Sequence, residues 1–354
     1  MAVKIITYHR AVNYGAVLQA YALARAIREY VRPDVFIYDH VNEKIANSYA
    51  LFKKSKNPAG TAIQIATLPF KLKKHAKFKA FTDKYIPLSA NVSDGDIFIT
   101  GSDQVWNYRG TDFDKAYFLD FVKRKENRNS YAASFGLADI EDSYFDEYKR
   151  LLSNFNNISV REERGREIVQ KMTGRDVPVV LDPTLLLSAE EWRKELVHTL
   201  KHEDYILVYL MVKTPTVIDF VKKLAERTGL VIYYINDYAL PFCKKCSVMR
   251  CIGPEEWVSL FSGAEYVVTN SFHGTAFSIN FNKKFFVEMQ PEEIGVNSRL
   301  ENILDKFGLN ERIIKNSDSE AWDKTIDYDR VNRILYKEKE KSMAYLENIA
   351  GKKE

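Results

Sequence analysis

The peptide Asn270-Ser271-Phe272-His273-Gly274-Thr275 sets an imidazole, a hydroxyl and a glycine between an apolar run and a helical-period segment. Gly274 lets a ligand approach the backbone. The amides of Gly274 and Thr275, at the start of a helix, favour an anion such as phosphate or carboxylate. His273 beside that anion can give up a proton near neutral pH. The competing reading is a histidine that only caps the helix or bonds the core, and the strand-to-helix position favours the chemical one.

Other peptides carry weaker signals of the same kind. In Gly101-Ser102-Asp103 the glycine permits a tight turn after an apolar run, and Asp103 could orient a sugar hydroxyl or take its proton. Ser102 and Asp103 read equally well as caps of the next helix. Arg161, followed by Arg164 and Arg166, offers a planar clamp for phosphate or carboxylate, or else an exposed pair with Glu162 or Glu163. Arg299 in Asn297-Ser298-Arg299-Leu300 opens a helix after the final strand and could serve the same anion. Asn13, Tyr14 and Gly15 suit a loop near an acceptor but lack the spaced glycines of a dinucleotide fingerprint, so a nicotinamide site is rejected. Cys243, Cys246 and Cys251 offer three soft ligands without a fourth, and the expectation is a reduced loop and no metal.

The elements that position these peptides alternate. Strands are expected at 4–8, 35–38, 96–100, 130–134, 158–161 and 177–181, with helices at 16–30 and 145–155. A second series has strands at 205–211, 231–235, 266–269 and 285–289, and helices at 216–227, 254–262 and 275–281. Alternation of this kind buries parallel sheets between helices, so the class is α/β with two Rossmann-like halves facing a cleft. Asp182-Pro183-Thr184 breaks the pattern, and Ser188 with Glu191 reads as a capping box. The domains are therefore expected at 1–187 and 188–327, with a helix over 328–354 returning to the first. Between Leu51 and Lys79 eight lysines mix with Phe52, Phe70, Leu72 and Phe78. This basic stretch, assigned to the first domain, reads as a solvated insertion, or as a surface for an anionic membrane or acceptor.

Composition narrows the function classes. With 52 basic against 48 acidic residues, charge alone does not argue for nucleic acid. At 46% hydrophobic and 28% charged, the chain should fold as a globular enzyme. Nowhere do eighteen apolar residues run together, and the first residues read as a strand, so a cytoplasmic protein is expected, possible contact with the inner membrane face included.

Taken in order, Asn13 to Ala16 with Leu18 to Leu23, Gly101 to Asn107, Tyr131 to Gly136, Ser159 to Glu162, Leu181 to Thr184, Thr269 to Ala276, Ser298 to Leu300 and Phe307 to Leu309 resemble the polysaccharide pyruvyl transferase family. The resemblance implies a fold similar to GT-B glycosyltransferases, phosphoenolpyruvate as co-substrate with no other cofactor, and a glycan or lipid-linked oligosaccharide as acceptor. It implies that His273 is catalytic and that Arg161 binds the donor, with Ser271, Gly274, Thr275 and Arg299 beside it. Asp103 would position or deprotonate an acceptor held by Asn13, Tyr14, Gly15 and Ser102. Relatives often carry arginine-leucine-histidine where this chain has Ser271-Phe272-His273, which removes one donor-binding cation and makes Arg299 or a lysine of 51–79 the expected substitute. Two other functions suit the same architecture: a glycosyltransferase using a nucleotide sugar, and a glycan-assembly protein without chemistry. No oligomeric state follows from the sequence.

Overall fold

The computed structural model describes residues 1–52, 57–197, 203–291, 297–316, 322 and 324–351. The chain divides into two compact units, Met1–Ala50 with Thr82–Leu187 and Leu335–Glu354, and Leu51–Phe81 with Ser188–Ile334.

In chain order the first half contains β1 (Val3–Ile6), α1 (Tyr14–Tyr30), β2 (Val35–Tyr38), α2 (Glu43–Ser48), α3 (Pro58–Tyr85), β3 (Leu88–Ser89), β4 (Ile97–Thr100), α4 (Tyr108–Thr111), β5 (Arg128–Ser130), α5 (Asp142–Ser153) and α6 (Glu163–Thr173). The five strands make one parallel sheet in the order β3-β2-β1-β4-β5. All four residues of β1 and of β4 are buried, as central parallel strands require. Asn13 starts α1 by accepting the Ala16 amide, and every residue from Tyr14 to Ala24 is buried. Trp106, Phe118, Phe135, Tyr148 and Phe155 form an aromatic core on β4 and β5.

The strand expected over 130–134 ends early, because Ala132 takes φ 52 and turns the backbone out of the extended form. Pairing resumes as single parallel bridges, Ala133 to Val160 and Val160 to Val179. The runs expected as fifth and sixth strands therefore extend the sheet one residue at a time.

The second half continues with α7 (Ala189–Leu196), β6 (Tyr205–Tyr209), α8 (Pro215–Thr228), β7 (Val231–Ile235), β8 (Cys246–Met249), α9 (Pro254–Gly263), β9 (Tyr266–Thr269), α10 (Phe272–Asn280), β10 (Lys284–Val287), α11 (Ser298–Phe307) and α12 (Tyr328–Ala350). Its parallel sheet runs β10-β9-β6-β7-β8. Ser188 and Glu191 form the reciprocal cap of α7. Thr214 caps α8, Pro215 occupies its first turn, and Gly229 closes it at φ 76, a left-handed conformation that glycine adopts without strain. Cys246-Ser-Val-Met249 lacks a β-branched run and was not legible as a strand; edge pairing to β7 makes it one.

Leu51–Phe81, expected with the first domain, groups with the second unit. Long-range pairs hold it there: Lys74 Nζ donates to Asp237 at 2.7 Å, and Lys77 Nζ donates to Glu256 at 2.6 Å. Lys53, Lys54 and Lys56 of the basic stretch lie outside the described residues. Leu335–Glu354 belongs to the first unit, where Ser342 Oγ accepts the Leu181 amide at 3.0 Å and the Tyr345 hydroxyl donates to the Ser130 carbonyl at 3.0 Å.

Candidate active site

Chemistry-bearing residues gather at the carboxyl ends of both parallel sheets, where loops leave the strands. In the second unit α10 starts at Phe272, three residues before the expected start, because Ser271 supplies the cap. His273 therefore lies in the first helical turn, 8% exposed, with its ring edge-on to Phe272 at 5.2 Å between centroids. The amides that sequence reasoning aimed at an anion are engaged within this turn. Gly274 N donates to Ser271 Oγ at 3.4 Å, and Thr275 N donates to the Ser271 carbonyl at 2.9 Å. The Thr275 hydroxyl donates to the same carbonyl at 3.1 Å.

Gly274 is required by packing. A Cβ there would fall on Thr269 Oγ1, well inside contact distance. Thr269 cannot easily yield, since its hydroxyl donates to the Tyr209 carbonyl at 2.6 Å and accepts the Ser271 amide at 3.1 Å. The turn that carries the imidazole is thus fixed to the ends of β6 and β9 through one threonine.

A polar chain links this turn to α11. Asn270 Oδ1 accepts the Met211 amide at 2.7 Å, and Gln290 Nε2 donates to the Asn270 carbonyl at 2.8 Å. Gln290 and Asn297 exchange two bonds, at 2.9 and 2.7 Å. Arg299 stands two residues past Asn297, in the first turn of α11, a helix that packs on α10. Glu288, next to Asn270, accepts from the Thr214 hydroxyl, and burial pushes its carboxyl above the ordinary range. Sequence reasoning missed Asn270, Glu288, Gln290 and Asn297 as a group; the signal available was that the first three follow strands β9 and β10 and Asn297 precedes α11.

In the first unit Arg161 forms the centre of a buried cluster. Its Nη1 donates to Asp182 Oδ2 at 2.8 Å, and its side chain lies 3.8 Å from Asp103 and 3.7 Å from Glu162. Burial alone would lower the guanidinium pKa; Asp182 first, then Asp103 and Glu162, reverse that and raise it. Ser102 Oγ accepts from Arg161 at 3.3 Å and donates to Asp182 at 3.0 Å. The other Asp182 oxygen caps the following turn through the Thr184 amide and hydroxyl. Ser134 Oγ donates to Glu162 at 2.7 Å. Three carboxylates thus surround one cation, and Arg161 is committed to them, as is the fully buried Ser102. Asp103 is the carboxylate with access, its side chain 13% exposed. Its φ of 77 is a left-handed conformation that costs a non-glycine residue energy, a type of strain concentrated at functional positions.

Asn13 caps α1 and bonds the Tyr49 hydroxyl, which senses the Asp103 charge; burial, with that charge, raises the Tyr49 pKa. Tyr14 and Gly15 are buried in the first turn of α1. The Tyr8 hydroxyl donates to the Gln104 carbonyl at 2.6 Å beside Asp103. Asp182, Tyr8 and Tyr49 were not read as site residues, since the leucine-aspartate-proline sequence signals a turn equally well.

Among the described residues no group of three histidine, cysteine or acidic side chains is placed to hold a metal ion. Cys243, Cys246 and Cys251 are free thiols, Cys246 opening β8 and Cys251 donating to the Phe70 carbonyl at 3.5 Å. A pocket of about 410 Å³ between α3 and α9 is lined by Lys77, Ala80, Leu196, Tyr205, Ile252 and Leu260; of the candidate residues only Lys77, from the basic stretch, is among those that line it.

A family model described as polysaccharide pyruvyl transferase matches residues 13–287. No curated protein matches the chain. A solved structure described as a UDP-N-acetylglucosamine 2-epimerase from Listeria monocytogenes aligns with a TM-score of 0.50 at 10% identity, over 99% of this chain and 92% of that one. The UDP-GlcNAc 2-epimerase of Methanocaldococcus jannaschii aligns with a TM-score of 0.46 at 14% identity, over 95% of this chain and all of that one. The structure of UGT89C1 of Arabidopsis thaliana, complexed with UDP, aligns with a TM-score of 0.42 at 12% identity, over 98% of this chain and 94% of that one. The likeness to the Listeria structure is one of fold, and the two parallel α/β units are of the GT-B type.

Proposed function

The chain belongs to the polysaccharide pyruvyl transferase family, and from that premise we propose that it moves a pyruvyl unit from phosphoenolpyruvate to two hydroxyls of a glycan, forming a cyclic ketal. The observation that carries the reading is the placement of His273 in the first turn of α10, fixed by Thr269 to the carboxyl end of a parallel sheet.

In this reading His273 protonates the methylene carbon of the enol, leaving an oxocarbenium-like centre at the carbon that bears the phosphate. One sugar hydroxyl adds to that carbon and loses its proton. The C–O bond to phosphate then breaks, and a second hydroxyl adds to the same carbon. Of the two hydroxyl protons, one balances the proton spent on the methyl group and the other leaves with phosphate. Asp103, the accessible carboxylate of the Arg161 cluster, takes the first hydroxyl proton. Arg161, 3.8 Å from Asp103, acts through that carboxylate by holding it in place, and Arg299 supplies positive charge to the donor. Ser271, Gly274 and Thr275 shape the turn that carries the imidazole.

The test incubates the protein with phosphoenolpyruvate labelled at the methylene carbon and candidate oligosaccharides. Acceptor-dependent phosphate release with a new ketal methyl resonance is expected. Absence of release with any acceptor, or glycosyl transfer from a nucleotide sugar instead, overturns the proposal.

A further inference from the structure

On the second unit, well away in sequence from His273, two segments build a surface that the proposed reaction does not use. On α3, Ile63, Phe70 and Lys74 are spaced by seven and four residues and so share one face. Ile63 is 64% exposed and Phe70 40%. The loop after β7 adds Tyr238, 54% exposed, and Leu240, 77% exposed, the latter followed by Pro241.

These apolar side chains are held out by constructed contacts. Asn236 Oδ1 accepts the amides of both Tyr238 and Ala239 at 2.9 Å, which fixes the turn. Arg250 donates to the Ala239 carbonyl at 2.6 Å. Asp237 joins loop to helix, accepting from Lys74 at 2.7 Å with one oxygen and from the Cys251 amide at 2.9 Å with the other. The Cys251 thiol closes the link on the Phe70 carbonyl.

Charge distinguishes this surface from the rest of the molecule. Residues 62–81 and 237–251 carry eight basic side chains, at 71, 73, 74, 77, 79, 244, 245 and 250, of which Lys74 pairs with Asp237 and Lys77 with Glu256, so basic charge still exceeds these two acids. The whole chain is nearly balanced, at 52 basic to 48 acidic. Exposed apolar side chains inside a basic surround match a bilayer whose headgroups are anionic, with the apolar groups entering the headgroup boundary and the lysines meeting phosphate. Among the described residues no helix is long and apolar enough to cross a membrane, so the contact would be at the surface.

We propose that α3 and the 237–251 loop form a docking surface for anionic lipid bilayers, with Phe70, Tyr238 and Leu240 as the inserting side chains. The proposal is independent of the donor and of the reaction. The test is co-sedimentation of the full chain with vesicles of phosphatidylcholine alone and with roughly a third phosphatidylglycerol. Binding to the anionic vesicles only, weakened by added salt, is expected. Leu240→Asp should weaken it at least about tenfold and Lys73→Glu about fivefold or more, both at unchanged melting temperature. No sedimentation with anionic vesicles, equal binding to neutral ones, or wild-type binding by Leu240→Asp overturns the proposal. So does concentration-dependent self-association that Leu240→Asp abolishes in a chain that ignores vesicles.

Discussion

Arg161 donates to Asp182 at 2.8 Å, and neither side chain has appreciable contact with solvent, at 1% and 0% exposed. A guanidinium so placed is held by its own protein before any ligand arrives. Removing one partner leaves a buried charge uncompensated, at a typical cost of about 3–5 kcal/mol. Arg161→Met and Asp182→Leu should each lower the unfolding free energy of the first unit by that amount, read as a lower urea midpoint at unchanged m. The double variant should cost less than the sum of the two, since it removes both charges together. Single variants that unfold like the parent would show that the pair carries little stability.

His273→Ala should reduce phosphate release from phosphoenolpyruvate by about a hundred- to ten-thousand-fold, the range expected for a lost general acid. Circular dichroism should stay near wild type, because the cap of this turn is supplied by Ser271 and not by the ring. Turnover within a few-fold of wild type would remove the imidazole from the proposed reaction.

Gly274→Ala places a methyl group on Thr269 Oγ1. Overpacking of this kind costs about 1–3 kcal/mol, and the α10 turn should shift with loss of activity. Adding Thr269→Ala opens the space and should restore part of the activity but not all of it, since the hydroxyl also bonds Tyr209 and Ser271. An active, fully stable Gly274→Ala protein would contradict the packing argument.

Lys283 has its ammonium pKa lowered to about 8 by burial and, second, by Arg193. A base whose folded pKa is depressed opposes folding wherever it must be charged. That penalty is complete below about pH 8 and fades as pH rises toward the ordinary lysine value. Lys283→Met should therefore stabilise the protein at pH 7 by roughly 1 kcal/mol, the shift being discounted for partial solvent access. The gain should vanish near pH 10.5, the ordinary lysine value. A gain independent of pH in chemical denaturation would rule out charge as its source.

Local pattern made most elements legible. Val231–Ile235 and Tyr266–Thr269 are apolar runs bounded by breakers, and Ser188 with Glu191 states a helix start in two residues. What local pattern leaves open is which neighbour takes up a polar side chain. Lys74 and Lys77 look like a solvated run until Asp237 and Glu256, 163 and 179 positions away, claim them. Arg161 reads as an anion clamp because nothing near it announces Asp182, which looks like a turn residue and is one. Ser271, Gly274 and Thr275 have the composition of an anion site, yet the same hydroxyl that suits a ligand also suits the Gly274 amide. Residue type limits the chemistry available, and only folded geometry decides which neighbour takes it up.

Because Leu335–Glu354 packs with Met1–Ala50 and Thr82–Leu187, the first unit receives its last piece after all of Ser188–Ile334 has been made. Leu346, Ile349 and Ala350 are buried in it. During synthesis on the ribosome the amino-terminal sheet must therefore wait, with the surface around Tyr131 and Leu181 uncovered, while the later unit emerges and matures. A nascent chain halted before Leu335 should present that bare surface to chaperones and proteases, and release of the final helix would end the vulnerability.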